Sequence, residues 1–418
     1  MSEFNAQERR LAAFFSKFPF IKRVIKKSYQ YFNYLLYRKK YSYKSSFKLN
    51  SLPVSAGETF FGYYDNSPLS ENRRYILYHH SLYLTRNLPN PAKPINVCVW
   101  DLQDEKIVYS QESTAYNWQQ GSKLQWLTSN QFIYNNYSEQ TGYHSVKVTV
   151  SNEGIGESIM PIPVYDCFGS QFGLSLSFER LQEHRPDYGY RNHKNDQLLP
   201  NYSEDGIFYL DLETGHVRLL LSLKDIVDFG GNIFSKNAVH KVNHIMISPD
   251  GQHFIFLHRY LIDRRRFDRL IISDVQTGAM RLLADHEMVS HCCWINNQEI
   301  LGYLREHQFG DRYYKIDVQT GKKEIVGEGL IDRFGDGHPS VYDSKMIFDT
   351  YPNKARMKEL FLYDMSNEKL VGLGQFFESM KYYGETRCDL HPRLSYDGKT
   401  VFFDSVHEGK RNLYWIDL

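Results

Sequence analysis

The chain offers little sulfur chemistry. Its five cysteines (Cys98, Cys167, Cys292, Cys293 and Cys388) are odd in number and never fall at CxxC spacing. That signals neither a disulfide framework nor a thiolate zinc site, and it favours a reducing compartment. No run of eighteen uncharged apolar residues occurs, so no membrane-spanning helix is expected. A secretory signal fits badly, because Lys17 and Pro19 interrupt the one early apolar stretch. No GxGxxG or phosphate-binding loop is present, which argues against a nucleotide cofactor. Asp-x-Asp is also missing, which weakens a metal-dependent nucleotide-sugar transferase. His286-Glu287 and His291 are spaced one residue too widely for the zinc-protease helix. With only 27 glycines and 14 prolines in 418 residues, collagen-like and low-complexity architectures are excluded.

Aromatic residues are plentiful. The 32 tyrosines and 27 phenylalanines suit β structure, and they also suit carbohydrate surfaces, where flat rings stack on sugars. Charge is divided unevenly along the chain. Residues 1–50 hold twelve Lys/Arg against Glu3 and Glu8, a net +10, whereas the rest holds 38 against 47, a net −9. A basic arm over residues 1–46 therefore precedes a mildly acidic body over 47–418.

Within the arm, residues 4–18 and 20–43 read as two helices separated by Pro19. In the second, Ile21, Val24, Ile25, Phe32, Leu35 and Leu36 recur at helical spacing. Lys22, Arg23, Lys26, Lys27 and the run Arg38-Lys39-Lys40 fall between them. Residues 1–44 are thus expected to lie on an anionic membrane surface, the alternative being packing on the body or on a partner subunit. The body has no basic face to continue the arm, which argues against nucleic acid.

From about residue 60 the chain repeats in units of roughly 45 residues. The four C-terminal units start at His244, His291, His338 and His391, and their third strands end at Asp274, Asp317, Asp364 and Asp417. Looser units cover 60–110, 116–158 and 161–223. This pattern predicts an all-β, seven-bladed β-propeller of four-stranded antiparallel blades. The last unit stops after its third strand. Residues 47–54 are expected to supply the fourth and close the ring, which removes the free edges.

The first strand of each blade lines the channel, so His244, His291, His338 and His391 should converge at one rim. The same register places Tyr63 in the first blade and Lys123 in the second; the third blade does not align well enough to place its residue. Such a ring can bind a divalent metal or an acidic ligand, and its imidazoles can move protons. Asp336, two residues before His338, adds a carboxylate on the same strand face. An insertion over 178–199 gathers Arg180, Arg185, Arg191, Tyr188, Tyr190, His184 and His193. It reads either as a solvated loop or as a site for an anionic sugar, which Arg beside Tyr suits.

At these residues the chain resembles the propeller polysaccharide lyases: the oligogalacturonate lyases and, more distantly, the ulvan lyases. Its repeats also resemble those of TolB-type propellers, where a HisPro before the first strand packs structurally, so a packing role stands beside the functional one for His338 and His391. The lyase resemblance covers about 55–418 and implies β-elimination on a uronate-containing bacterial surface glycan. Carried over, it implies His244 as base and His291 and His338 as metal ligands, with Asp336 and His391 available to complete the set. One divalent ion (Mn, Zn or Ca) is then expected. The insertion resembles the ulvan-lyase arrangement, in which a tyrosine and an arginine act on the uronate. That makes Tyr190 the acid, with Tyr188 in reserve, and sets Arg185 and Lys123 on the carboxylate. Tyr63, Tyr64 and Trp118 are expected to stack on sugar rings, and Arg180 and Arg191 to add contacts. The arm resembles proteins encoded with capsule or O-antigen enzymes, which implies a cytoplasmic protein peripheral to the inner membrane face. Two alternatives remain: a non-catalytic, membrane-tethered glycan-binding scaffold, and a transferase or hydrolase acting on a lipid-linked glycan.

Overall fold

A computed structural model describes residues 19–151, 153–192, 199–230, 238–263 and 265–418. The helix expected over 4–18 and His193 of the insertion lie outside the described residues, as do the side chains of Ile21, Val24 and Ile25. Seven antiparallel sheets follow one another along the chain. Blade one is built from Glu58–Phe60, Tyr75–Ser81, Ile95–Asp101 and Lys106–Ser113, and blade four from Val239–Ile247, His253–Ile262, Arg265–Asp274 and Met280–Ala284.

Each blade is covered on both faces by its neighbours, so its middle strands are buried continuously rather than alternately. Phe254, Ile255, Phe256 and Leu257 are all buried in succession. The aspartates that end the third strands have a local cause. Asp274 Oδ1 accepts from the backbone amides of Gln276 and Thr277 and from the Thr277 hydroxyl, and Gly278 then turns the chain at φ +72. Asp317 with Thr320 and Gly321, and Asp211 with Thr214 and Gly215, repeat the device.

The ring closes as the sequence predicts. Asn50–Ser51 pairs with the last strand, Asn50 against Trp415 and Ser51 against Tyr414, to complete blade seven. Arg393 and Asp404, each 1% exposed, lock the seam between blades seven and one. Asp404 accepts from the amides of Phe61 and Gly62 and pairs with Arg393 at 3.0 Å. The same guanidinium donates to the carbonyls of Gly62, Tyr63 and His391.

The arm is less separate than the expected boundary at residue 46. Tyr43–Lys44 adds a fifth strand to blade six, opposite Phe376 and Gln375. The helix Pro19–Tyr37 lies beside it, with Tyr34 against Phe377 at 5.6 Å. Deleting residues 1–44 strips this outer strand but spares the closing one. The propeller should stay folded and lose on the order of 1–2 kcal/mol, a few degrees in Tm. Thermal melting checks this, and collapse of the body would make the arm a structural element.

In an antiparallel meander the loops entering the first strands and those joining second to third strands lie on one face of the ring. That face carries the entries of the four histidine units, the insertion between Ser175 and Gly206, and the loops 82–94, 350–356 and 378–392.

Candidate functional site

The histidine register holds. Tyr63 lies 5.4 Å, centroid to centroid, from His244 and 5.0 Å from His391. His244 lies 5.7 Å from His291, which is 4.1 Å from His338, which is 4.3 Å from His391. The circuit is closed and buried. Backbone geometry turns the side chains inward: His244 and His391 sit at φ 53 and 45, a left-handed conformation uncommon without glycine. The ladder of blade four breaks between Asn243 and Met246 to accommodate it.

Tyr165 fills the position in the third blade that the sequence did not place. Its hydroxyl accepts from the His244 amide at 3.1 Å and from Gln120 Nε2 at 2.9 Å. Lys123 takes the register position predicted for it, but its ammonium is already engaged. Buried itself, it pairs with Asp65 at 2.6 Å and lies 4.2 Å over the Tyr165 ring, so it braces the ring instead of offering charge to a carboxylate.

Several other expected contacts are also placed elsewhere. Tyr190 packs flat on Phe178 at 4.3 Å, and its hydroxyl accepts from Asn135, which puts it in the core under the insertion. Trp118 is buried against Phe60 with its indole N–H on the Asn87 carbonyl. Tyr64 is buried, and its hydroxyl both donates to the Cys292 carbonyl and accepts from the Cys292 amide. Arg180 is held by Asp205 and the Pro200 carbonyl, and Arg191 by Glu385. Tyr190, Trp118, Tyr64 and Arg180 are buried and hold the fold together, whereas Arg191 stays partly exposed beside Glu385.

Tyr188 meets the histidine circuit instead, although it too is buried. Its ring lies 5.7 Å from both Tyr63 and His244, with the Arg185 guanidinium 4.8 Å above it. Arg185 is tied to Asp187, which also holds Arg387, and Arg387 reaches on to Asp389. Tyr351, exposed at 44%, stands edge-on to His338 at 5.9 Å. Lys241 donates to the His184 carbonyl, and its ammonium is pushed down to about 8 by burial and by Arg259. Burial, helped by the charge of Arg259, holds His244 well below the ordinary histidine range, so the imidazole is neutral. Its Nδ1 lies 2.8 Å from the Tyr63 hydroxyl.

Among the described residues one group can hold a metal: His338, Asp389 and His391, whose ligand atoms lie within 4.8 Å of one another. The Nε2 atoms of both histidines are buried and have no hydrogen-bond partner. Their Nδ1 atoms are spoken for, His338 on Asp349 at 2.9 Å and His391 on the Gly62 carbonyl at 2.8 Å. A carbonyl only accepts, so His391 carries its proton on Nδ1 and leaves Nε2 as a lone pair. Arg387 and Lys358 hold Asp389 below the usual carboxylate range, against the effect of its burial. The set fits a divalent cation. It departs from the expected one, because Asp336 serves His291 Nδ1 at 3.2 Å and Ser290 at 2.6 Å. Two imidazoles with one carboxylate suit zinc or manganese better than calcium, which prefers oxygen ligands throughout. His338→Ala and His391→Ala should abolish stoichiometric binding of manganese or zinc, Asp349→Asn should weaken it about 10–100-fold, and Asp336→Asn should spare it. Titration of metal-free protein reads all four.

The geometry defines a propeller whose buried histidine circuit includes one group able to hold a metal. In structure it resembles an oligogalacturonate lyase of Vibrio parahaemolyticus, with TM-score 0.60, 14% identity, and 90% of this chain and 96% of that one covered. It also resembles an oligogalacturonate lyase in complex with manganese, with TM-score 0.61, 15% identity, and coverage of 91% and 95%. TolB from Acinetobacter baumannii matches at TM-score 0.39 and 12% identity, over 78% of this chain and 76% of that one. The shared fold is that of the lyase propellers. No protein-family model matches the chain, and no curated protein matches it in sequence.

Proposed function

We propose that the protein is a polysaccharide lyase that cleaves uronate-containing acidic glycans by β-elimination, with the arm holding it peripherally at the cytoplasmic membrane face. The observation that carries this reading is the meeting, at one mouth, of neutral His244, Tyr188 and the cations Arg185 and Arg387 beside the His338–Asp389–His391 set. The two structural neighbours named as oligogalacturonate lyases support it, one of them a manganese complex.

Elimination needs the uronate carboxylate neutralised before the adjacent carbon gives up its proton. Arg185 and Arg387, already clamped by Asp187, stand where that carboxylate would be met. His338, Asp389 and His391 would hold a divalent ion, which when bound supplies further positive charge to the carboxylate. His244, neutral and held against the Tyr63 hydroxyl, keeps one ring nitrogen unprotonated and takes the proton. Tyr188 gives its proton to the departing glycosidic oxygen. The proton then has to return from His244 to Tyr188, and Tyr63, in ring contact with both, spans that gap. Tyr351, half-exposed at the rim, offers the stacking face that the buried aromatics do not.

Incubation with polygalacturonate, alginate and other uronate-containing glycans should produce the ultraviolet absorbance of an unsaturated uronate product. Binding across such a panel with no absorbance rise would leave a glycan-binding scaffold and remove the lyase.

A further inference from the structure

We infer that the face bearing the histidine mouth is itself a membrane-docking surface, so that the site opens toward an anionic lipid bilayer. Docking stands apart from the lyase reading; only its consequence, that the substrate is an acidic glycan carried at the bilayer surface, rests on that reading.

Exposure is the first observation. The helix Pro19–Tyr37 turns Tyr34 and Asn33 toward the body but leaves Phe32 and Leu36 60% and 62% exposed, the reverse of an amphipathic helix that buries its apolar stripe on its own domain. Loop 82–94, on the same face of the ring, shows Leu82 at 70% and Leu88 at 51%, and Tyr383 in loop 378–392 stands at 61%.

Continuity is the second. Lys27 lies 4.5 Å over the Tyr383 ring, which joins the helix to loop 378–392. Buried Arg411 donates to the Thr386 and Arg387 carbonyls of that loop, to the Thr85 hydroxyl of loop 82–94 and to the Trp118 carbonyl. Blades six, seven and one therefore present one braced apolar rim, which loses little freedom on docking. The mouth lies on the same face, since Asp389 and His391 end the loop that carries Tyr383.

Charge selects the occupant. Arg38, Lys39 and Lys40 follow the helix and are exposed. Loop 82–94 carries Arg86 and Lys93 with no acidic residue, and loop 350–356 adds Lys354, while Arg356 is spent on Glu378 of loop 378–392. Apolar groups fringed by cations match the acyl boundary and headgroups of an anionic bilayer, at up to about 1 kcal/mol per basic residue near the surface.

Flotation of the full chain with vesicles tests the inference. Wild type should float with equimolar phosphatidylcholine and phosphatidylglycerol, stay behind with phosphatidylcholine alone, and be released by salt. Leu82→Asp with Leu88→Asp should lower the bound fraction about ten-fold, as should Phe32→Asp with Leu36→Asp. Arg86→Glu with Lys93→Glu, at two exposed positions, should weaken binding in the same direction. Turnover of a soluble oligosaccharide without vesicles should be unchanged in the Leu82/Leu88 variant. If both loop variants float like wild type, the arm alone tethers the protein and the docking face is wrong. Failure of wild type to float would overturn the inference outright. A chain that floats as expected but never forms unsaturated uronate would lose the lyase reading and keep the docking face.

Discussion

His244→Ala should abolish elimination, by at least about 10²-fold and up to 10⁴-fold, while oligosaccharide affinity is largely kept. The expectation follows from what the side chain touches. His244 is neutral because burial and the nearby Arg259 charge disfavour its protonated form, and its Nδ1 is held at 2.8 Å by the Tyr63 hydroxyl. Removing it takes away a proton acceptor and little binding surface. Because the imidazole stays neutral far below the usual histidine range, kcat/KM should hold through the mildly acidic interval in which a solvent histidine becomes charged. Tyr63→Phe keeps the ring and deletes the hydroxyl, so it should cost less and should alter the pH profile by releasing the His244 tautomer. Turnover, oligosaccharide binding and Tm measured together decide the matter. A His244→Ala protein that melts early yet turns over normally would make this histidine a packing residue.

Arg393→Ala should be the most destabilising single change, at about 3–5 kcal/mol. The guanidinium and Asp404 are each 1% exposed, pair within blade seven, and together grip the Phe61–Tyr63 backbone of blade one across the seam. Truncation leaves the Asp404 carboxylate buried with only the Phe61 and Gly62 amides, and it takes a donor from the Tyr63 and His391 carbonyls and one of two from the Gly62 carbonyl. Arg393→Lys should recover a fraction, since an ammonium carries the charge without the planar fork. Denaturant unfolding reads the loss, and a cost under about 1 kcal/mol would show that the pair does not hold the seam. Activity should suffer beyond stability, because Arg393 also fixes the carbonyl of Tyr63 and that of His391.

Much of the fold was legible because repetition fixes register. Four histidines at one point of four units have to reach one rim, since a slip of one residue would send every side chain of a strand to the other face. The closing strand was legible from a unit that lacked one. What lay outside the repeat carried no such constraint. Tyr188 and Tyr190 are equivalent in a list of residues, yet Gly189 packs against the backbone of Gln182, and the chain there puts one tyrosine at the mouth and the other on Phe178. Lys123 had the right register and the wrong role, because its partner Asp65 comes from another blade and belongs to no motif. Asp389 and Arg387 sit in a loop between blades, where only proximity to His391 hinted at them. Trp118 looked like a sugar platform because sequence shows an indole and not which way it faces.

The closing strand also sets an order of events during synthesis. Asn50–Ser51 is made long before its partner Asn412–Asp417. The first six blades can therefore stack only as an open arc, with the face of blade one that packs on Phe402 and Leu413 bare until blade seven is made. Ring closure is a contact of nearly maximal sequence separation, the kind that forms slowly and leaves intermediates open to misassociation. The buried Arg393–Asp404 pair, which joins the last blade to the first, latches only at that moment. Before then neither the Tyr63 nor the His391 end of the histidine circuit is fixed, so a nascent chain would carry every residue of the mouth without having a mouth.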